Sequence, residues 1–229
     1  PADQSRLQAG GFLTRLGCQF HWHNAGYEDF DHFLAGLTAK KRKNIRRERR
    51  QVEDADLRIR VVHGDEASDA EWRLLHQLYR DTFSKYGNFP ALTLPFFRHV
   101  GAVLGRRVVL MIAQRDTTDV AVALSYASDS TLYGRHWGCL GEFDSLHFEL
   151  CYYQGIDYCI RNGLQRFEPG AQGEHKIWRG FLPVLTRSAH WLAHPAFNAA
   201  VSDFLARERP AVQDYARQLS EHTPYRKSE

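Results

Sequence analysis

Apolar residues spaced three and four positions apart predict a series of amphipathic helices along the chain. The first begins near Tyr27 and runs into a highly charged stretch. Its buried stripe is formed by Phe30, Phe33, Leu34 and Leu37. The same spacing predicts further helices over 69–86, 93–104, 146–162, 195–207 and 210–219. Thr93 and Pro210 are each expected to begin a helix, because a capping hydroxyl or a proline suits the first turn.

Alternation of apolar and polar residues predicts strands between these helices. Three short runs rich in Val, Leu and Tyr are separated by turn residues, which predicts a meander of two hairpins over 108–114, 120–127 and 131–137. Further strands are predicted at 19–24, 57–62, 164–168 and 186–193. These elements predict a mixed α+β fold, with a central, mostly antiparallel sheet flanked by helices.

The order of strand, strand, strand, long helix and strand resembles the core of the acyl-CoA N-acyltransferases, the GNAT fold. In that core two neighbouring strands splay apart, and the reactive end of the donor lies in the gap. We therefore expect residues 1–229 to form a single acyltransferase domain, which begins without a Met and is expected to be the C-terminal part of a longer protein. Its predicted parts are a strand with a basic helix, the acyltransferase core and the closing helices, at 1–56, 57–193 and 194–229.

The polar segment from Glu168 to Ile177 is the strongest candidate for an active site. It holds two Gly, two Glu, Gln, His and Lys between apolar elements. Acyl transfer to an amine needs a base to remove an N–H proton and donors to stabilise the oxyanion. The candidate catalytic residues are Glu168, Glu174 and His175. Glu168 is preferred as the base, because a strand end holds its side chain more rigidly than a glycine-flanked loop.

Residues that bind the substrates are predicted in the same segment and on the third strand of the meander. Gln172 is a candidate to bind the reacting carbonyl, and Lys176 and Arg179 are candidates to bind phosphate. Alternation along a strand predicts that the side chains at 133, 135 and 137 share one wall of the cleft. They are Tyr133, Arg135 and Trp137, for which buried Trp–Tyr packing is the alternative.

Two polar residues near the start of the long helix compete for a place in the site. His147 and Glu149 stand two positions apart and therefore face different sides of that helix. At most one of them is expected to join the site, with His147 as a candidate for substrate binding. A structural cap of the helix is the alternative.

Charge is concentrated in one helix, although the formal net charge at pH 7 is only +3. Lys40–Arg50 reads KKRKNIRRERR, with eight basic residues and a single acid, Glu48. Like charges at this density cost stability unless an anion offsets them, which predicts a phosphate-bearing partner. A solvated helical face is the alternative. The candidate phosphate-binding or nucleic-acid-binding residues are Lys41, Arg42, Lys43, Arg46, Arg47 and Arg50.

Composition excludes several other classes of protein. The hydrophobic content of 43% and aromatic content of 13% are those of a folded globular domain. The four Cys show no metal-site spacing, and His21 and His23 lack a third ligand, so neither a metal nor a tightly bound cofactor is predicted. No uncharged apolar run reaches 18 residues, so we expect no membrane span and a cytoplasmic protein.

Several runs resemble the bacterial FemAB-like family of predicted N-acyltransferases, which is linked to peptidoglycan biosynthesis or recognition. They are QFHWHN (19–24), KKRKNIRRERR (40–50), LYGRHWG (132–138), LHFELCYYQGIDY (146–158) and EPGAQGEHKIWRGFLP (168–183). The resemblance covers nearly the whole chain, and family members usually carry a further N-terminal portion. It implies transfer of an acyl or aminoacyl group to an amine, on a peptidoglycan precursor or a peptide.

The resemblance also bears on the donor, which is either aminoacyl-tRNA or acyl-CoA. The related Fem ligases use aminoacyl-tRNA and carry a basic stretch of the form K-x-R-x-x-I-R, which Lys40–Arg46 matches. A coenzyme A loop reads Gln/Arg-x-x-Gly-x-Gly/Ala, whereas Arg135–Gly141 is one residue longer, so coenzyme A fits less well.

Two functions of other classes remain open on the sequence. The first is a metal hydrolase that uses His147, Glu149, Glu168 and His175, although no HExxH or comparable spacing supports it. The second is a non-catalytic module that recognises cell-wall fragments or RNA through the basic helix.

Overall fold

A computed structural model describes residues 2–171 and 173–226 of the chain. The backbone groups into two compact units, each with its own internal packing. The smaller unit comprises Pro1–His21 and Ala171–Pro224, and the larger comprises Trp22–Gly170 and Tyr225–Glu229. The single-domain organisation expected from the sequence stays a prediction.

The larger unit contains the predicted meander. Its strands are β2 (Leu57–His63), β3 (Val108–Arg115), β4 (Thr118–Ala127), β5 (Thr131–Cys139) and β6 (Arg166–Glu168). They lie in the order β2-β3-β4-β5-β6, and every neighbouring pair is antiparallel except β5 and β6, which are parallel. Trp22 and His23, the last residues of β1 (Leu13–His23), pair antiparallel with β6. The predicted mixed α+β class with a mostly antiparallel sheet is confirmed.

The helices of the larger unit occur where the apolar spacing predicts them, with one break. They are α2 (Phe30–Ala35), α3 (Ala39–Asp54), α4 (Asp69–Lys85), α5 (Leu94–Leu104), a 3-10 turn (Gly105–Arg107), α6 (Leu146–Phe148), a π-helical turn (Glu149–Tyr153) and α7 (Gln154–Arg161). Thr93 caps α5 as predicted, since its hydroxyl accepts a hydrogen bond from the Phe96 backbone N–H. The prediction of one continuous helix from Tyr27 into the basic stretch is wrong. The chain leaves helical geometry at Leu37, which instead forms a β-bridge with Tyr225.

Helices cover both faces of the sheet in the larger unit. Even-numbered positions of β3 and β4, such as Leu110 and Val122, pack against α4 and α5. The helical segment from α6 to α7 contacts β3, β4, β5 and β6. Tyr152 and Ile156 are buried there as predicted, whereas Phe148 is only half-buried.

The smaller unit is built on one antiparallel pair of strands. Its elements are α1 (Ala2–Ala9), the first nine residues of β1, a 3-10 helix (Glu174–Arg179), β7 (Leu182–His190) and α8 (Pro195–Ser220). The pairing of β1 with β7 runs from Leu13 with His190 to His21 with Leu182. The prediction of two closing helices is wrong, because α8 continues through Pro210. A proline removes one hydrogen bond, but the buried stripe continues on both sides, at Leu205 and at Ala216 and Leu219.

A histidine on β5 is enclosed by aromatic rings on the α4 side of the sheet. The centre of the His136 ring lies 4.9 Å from that of Tyr79 and 6.1 Å from that of Phe97. Burial lowers the pKa of His136 to about 4, and the positive charge of Arg135 acts in the same direction. The ring is therefore neutral in the folded protein at neutral pH.

We expect His136 to make the folded state less stable as the pH falls from about 6.5 to about 4. The unfolded chain takes up a proton near pH 6.5, whereas the folded protein excludes it until about pH 4. Relative to His136→Phe, the wild-type unfolding free energy should fall by about 2 kcal/mol between roughly pH 7.5 and 4.5, allowing for solvent at the ring's open edge. Urea unfolding measures this difference, and parallel pH profiles for the two proteins would contradict it.

Candidate functional site

The two parallel strands of the larger unit diverge after a short pairing. β5 and β6 pair at Thr131–Arg166, Leu132–Phe167 and Tyr133–Glu168, after which β6 ends while β5 continues to Cys139. The backbones are still close at Gly134, where a Cβ atom would lie 3.2 Å from the Pro169 Cα atom. Beyond that point the β5 edge is released from β6. This is the splayed arrangement that the strand order predicts.

A β-bulge on β5 changes which side chains share a face. Leu124 of β4 pairs with His136 and Ser125 pairs with Gly134, so Arg135 has no partner on β4. Tyr133 pairs with Tyr126 and lies on the α4 side of the sheet, whereas Trp137 lies on the opposite side beside His147. The prediction that Tyr133, Arg135 and Trp137 form one wall is therefore wrong, because the extra residue reverses the alternation.

A cleft of about 380 Å³ opens at the end of β5. It is lined by the end of β5, by α4 and by the segment that leads into α6. Trp137 and His147 both line it, with ring centres 5.5 Å apart, and the Thr82 hydroxyl donates a hydrogen bond to the Trp137 carbonyl. Two of the predicted substrate-binding residues therefore meet here. Glu149 lies elsewhere in the fold, as the spacing of the two residues requires.

The charge of this cleft does not suit a pyrophosphate. Its lining contains three carboxylates, from Asp81, Glu142 and Asp144, and one ammonium group, from Lys85. Aromatic edges from Trp137 and neighbouring rings complete the walls. Carboxylates together with aromatic rings attract an ammonium group and repel a phosphate. The cleft thus has the chemistry of an amine-binding site.

Glu168 occupies the last position of β6. It stands opposite Tyr133 in the parallel pairing, and its Oε1 lies 2.9 Å from Nε of Arg166. The side chain is partly exposed, so a substrate is able to reach it. The strand end and the ion pair together restrict its carboxylate to few orientations.

The remaining residues of the polar segment lie on the 3-10 helix of the smaller unit. Lys176 and Arg179 are buried, and the Arg179 side chain donates a 2.9 Å hydrogen bond to the His175 carbonyl.

Glu174 is exposed and accepts a 2.7 Å hydrogen bond from the Tyr215 hydroxyl, which raises the pKa of Tyr215 to about 12. The half-buried His175 ring packs so closely on Gly173, at φ +109°, that a Cβ atom there would lie 2.3 Å from it.

The predicted site residues therefore fall in both units. The larger unit holds Tyr133, Arg135, Trp137, His147 and Glu168, and the smaller unit holds Glu174, His175, Lys176 and Arg179. Gln172 lies outside the described residues. Convergence of the two groups on one cleft stays a prediction.

Part of the basic helix α3 has a structural role that the sequence did not predict. Arg49 lies 3.1 Å from Glu149 of the π-helical turn, and its guanidinium carbon is 4.4 Å from the centre of the Phe30 ring. Burial raises the pKa of the Glu149 carboxyl, although Arg49 and a hydrogen bond from Gln154 oppose this. Glu48 accepts a hydrogen bond from the Tyr153 hydroxyl. Glu149 is the single acid in the run LHFELCYY (146–153), and this was the available signal for its pairing with Arg49.

Other bases of α3 lie on its outer surface. Lys43, Arg47 and Arg50 are exposed at positions three and four apart and so form one stripe. Arg46 is also exposed but is 3.1 Å from Asp31, and Lys41 and Arg42 are half-buried. The predicted phosphate-binding surface stays a prediction, and the stripe formed by Lys43, Arg47 and Arg50 is its most exposed part.

Substitution of Lys43, Arg47 and Arg50 by Ala should weaken the binding of an RNA and reduce its salt dependence. Each cation that no longer meets a phosphate should lower the slope of log K against log salt by roughly 0.7 to 0.9. Fluorescence anisotropy with labelled tRNA over a salt series measures the slope. A matched control removes the same charge from scattered positions, as Arg115→Ala, Arg161→Ala and Arg217→Ala. An equal effect of the two triple variants would mean that α3 is only a solvated face.

Two features that would indicate other functions were sought among the described residues, a cluster of metal ligands and a helix that crosses a membrane. No group of three His, Cys, Asp or Glu among residues 2–171 and 173–226 has an arrangement that holds a metal. His21 is buried, with its Nε2 atom 3.4 Å from the Gln19 amide oxygen. None of the helices described is long and apolar enough to cross a bilayer.

The chain matches one known protein family along nearly its whole length. A family model for FemAB-like proteins, described as peptidoglycan biosynthesis/recognition, matches residues 1–227. The chain belongs to the FemAB-like family. The predicted membership is thereby confirmed, and the family description includes both an enzymatic and a recognition role. A search of curated proteins gave no match to this FemAB-like chain.

Solved structures share the fold of this FemAB-like protein at low sequence identity. L-PGS from Bacillus licheniformis is 11% identical, with a TM-score of 0.58, and the match covers 90% of this chain and 71% of that one. FemX is 12% identical, with a TM-score of 0.60, and the match covers 86% and 70% of the two chains. At this identity the likeness shows the fold, which is the predicted GNAT-like acyltransferase fold.

Proposed function

We propose that this FemAB-like protein is an N-acyltransferase that moves an acyl or aminoacyl group from an activated donor to an amine. The divergence of β5 and β6, with an amine-suited cleft at the end of β5, is the observation that carries the proposal. The family description, peptidoglycan biosynthesis/recognition, is consistent with an acceptor that is a peptidoglycan precursor or a peptide.

Aminoacyl-tRNA is the proposed donor. The exposed stripe of Lys43, Arg47 and Arg50 offers three cations at helical spacing to a nucleic-acid backbone. The cleft, by contrast, carries three carboxylates against one ammonium group, which disfavours the pyrophosphate of coenzyme A. Lys176 and Arg179 stay candidates for donor binding, although their burial requires a phosphate to approach them inside the fold.

Glu168 is the proposed general base. The positive charge of the acceptor is attracted by Asp81, Glu142 and Asp144. Glu168 is not among the residues that line the cleft, so the proposal requires the reacting amine to extend along β5 towards Tyr133, where it loses a proton before its nitrogen attacks. Glu168 takes the proton at its carboxylate, and the amine nitrogen then forms a bond to the carbonyl carbon of the donor. Collapse of the tetrahedral intermediate breaks the ester or thioester bond. The second proton that the nitrogen loses passes to the leaving oxygen or sulfur, which departs as the tRNA hydroxyl or the thiol. We assign stabilisation of the oxyanion to backbone N–H groups on the edge of β5 beyond its pairing with β6.

A screen of donors against acceptors tests this proposal. The purified protein is incubated with aminoacyl-tRNA or acyl-CoA together with a peptidoglycan precursor or a peptide that carries a free amine. Mass spectrometry should detect an acceptor that is heavier by one aminoacyl group only with the tRNA donor. Binding of the acceptor without product from any donor would favour the second candidate function, a recognition module, which the family description also includes.

A further inference from the structure

One residue beside the cleft at the end of β5 has a strained backbone conformation. Ser145 has φ +62° and ψ −1°, in the left-handed region that favours glycine and asparagine. It is the third residue of a β-turn, in which the Leu146 N–H donates a 3.4 Å hydrogen bond to the Phe143 carbonyl. A serine keeps this conformation where contacts with its surroundings offset the strain. The contacts of Ser145 therefore show what maintains the turn.

The side chain of Ser145 bonds to another helix and not to its own. Ser145 directly precedes α6, where a serine side chain usually caps the first turn. Within the described part of the chain, its hydroxyl caps no N–H group of α6. It donates instead a 2.8 Å hydrogen bond to the side-chain amide oxygen of Gln51, which lies 94 positions earlier on α3. The strained turn is thus fixed by a contact that only the folded protein makes.

The residues on either side of Ser145 line the cleft. They are Glu142, Phe143, Asp144, Leu146 and His147. We name residues 142–147 the acceptor wall, because two of the three carboxylates of the cleft lie on it. Among these six described positions, Ser145 is the one that does not line the cleft. The turn at Ser145 therefore sets the course of the backbone along the acceptor wall.

Helix α3 contacts the segment from α6 to α7 at several points. Arg49 and Glu48 bond to residues of the π-helical turn, which follows the acceptor wall in the chain. Gln51 lies two positions beyond Arg49 and bonds to the acceptor wall itself. α3 in turn packs on the larger unit through Ile45 and Val52, which are buried. It is therefore a fixed support to which the turn at Ser145 is attached.

We propose that Gln51 and Ser145 are positioning residues for the cleft at the end of β5. Their hydrogen bond keeps Ser145 in the left-handed conformation, and this holds the carboxylates and the imidazole of the acceptor wall at the cleft. Loss of the bond lets Ser145 leave the strained conformation, so the acceptor wall becomes mobile. The inference rests on the proposed function for the assignment of the cleft to the acceptor, whereas the mobility of the wall is measured without a substrate.

Reaction of Cys139 with N-ethylmaleimide measures the mobility of the acceptor wall in the full chain. Cys139 lines the same cleft, and burial raises the pKa of its thiol, which slows the reaction. Gln51→Met keeps the length of the side chain but removes the acceptor oxygen. It should raise the labelling rate of Cys139 roughly threefold to fivefold, the factor expected for one exposed hydrogen bond. Mass spectrometry of peptides follows the labelling of each cysteine separately.

Cys159 reports any loss of the whole fold in the same experiment. It is buried in α7 and reacts only when the protein unfolds, so its labelling rate should be unchanged in Gln51→Met. Gln77→Met makes the same substitution at an exposed position of α4 and is the matched control, which should label as the wild type does. Gln51→Glu keeps an oxygen that accepts the hydrogen bond, so it should also label as the wild type does.

Two variants at Ser145 separate the hydrogen bond from the backbone strain. Ser145→Ala should raise the labelling rate of Cys139 as Gln51→Met does, and the double variant should add nothing further. Ser145→Gly should have a smaller effect, because glycine adopts φ +62° without a supporting contact. Equal rates for Ser145→Ala and Ser145→Gly would show that the conformation of Ser145 plays no part, and would overturn the proposal.

The transfer assay measures the consequence for the acceptor. With a peptide that carries a free amine, Gln51→Met should raise the acceptor KM by a similar factor while the donor KM stays unchanged, and Gln51→Glu should retain the wild-type values. Labelling of Cys139 that is the same in Gln51→Met and in the wild type overturns the proposal, as does an equal rise at Cys159. A wild-type protein that transfers nothing, together with the expected labelling, rejects the proposed function and supports the positioning roles.

Discussion

Glu168→Gln should lower the rate of acyl transfer by on the order of 10² to 10⁴ while donor binding changes little. The amide keeps the size and much of the hydrogen bonding of the carboxylate, but it cannot take up the proton of the acceptor amine. The loss should therefore appear in kcat and less in the donor KM. Single-turnover measurements with preloaded donor isolate the chemical step from product release.

Asp116→Asn is the matched control for this change. Asp116 is an exposed acid in the turn between β3 and β4 of the same unit, at φ +53°, a conformation that Asn tolerates well. It loses the same charge at a site without a proposed role, so its rate should equal that of the wild type. Near-normal turnover in Glu168→Gln would transfer the role of base to Glu174 or His175. A recognition module would show unchanged binding and no turnover in any variant.

Arg49→Met should lower the unfolding free energy by about 3 kcal/mol at neutral pH. The change leaves the buried Glu149 carboxylate to the Gln154 amide and removes the guanidinium from the Phe30 ring. Because burial raises the pKa of Glu149, the loss should be smaller near pH 5, where a larger fraction of the carboxyl is protonated. Urea unfolding at both pH values measures the effect.

Arg50→Met is the control for this prediction, since it makes the same change one position along the helix on the exposed face. Its effect should stay within about 0.5 kcal/mol. Replacement of both partners, Arg49→Met with Glu149→Leu, should recover most of the stability, because no unpaired charge is then buried. A single-variant loss no larger than that of Arg50→Met would show that the buried pair contributes nothing to stability.

Two carboxylates, those of Glu149 and Glu168, show how far charge and position alone distinguish a functional residue from a structural one. Both adjoin apolar elements, and both were candidates in one of the hypotheses drawn from the sequence. Glu149 accepts a hydrogen bond from Arg49, which lies on a helix a hundred residues earlier in the chain. Glu168, by contrast, is partly exposed at the end of a strand. Both carboxylates pair with an arginine, so it is the burial of Glu149 and the partial exposure of Glu168 that separate the two roles.

The sequence by itself determined the elements whose signals are local. Alternation and turn residues predicted β3, β4 and β5, and the Thr93 cap predicted the start of α5, because strand pleat and helix capping depend on neighbours within a few positions. The runs around the basic helix and the polar segment were specific enough to predict the family, and the strand order predicted the splay of β5 from β6.

The tertiary structure decided what depends on residues distant in the chain. The bulge at Arg135 arises from pairing with β4, and it moved Tyr133 and Trp137 to opposite faces of the sheet. The helix break at Leu37 depends on a bridge to Tyr225, and α8 continues through Pro210 because its apolar stripe remains buried on both sides. In each case a contact made only in the folded protein outweighs a local preference worth about 1–3 kcal/mol. The spacing of apolar residues along the sequence does not indicate such a contact.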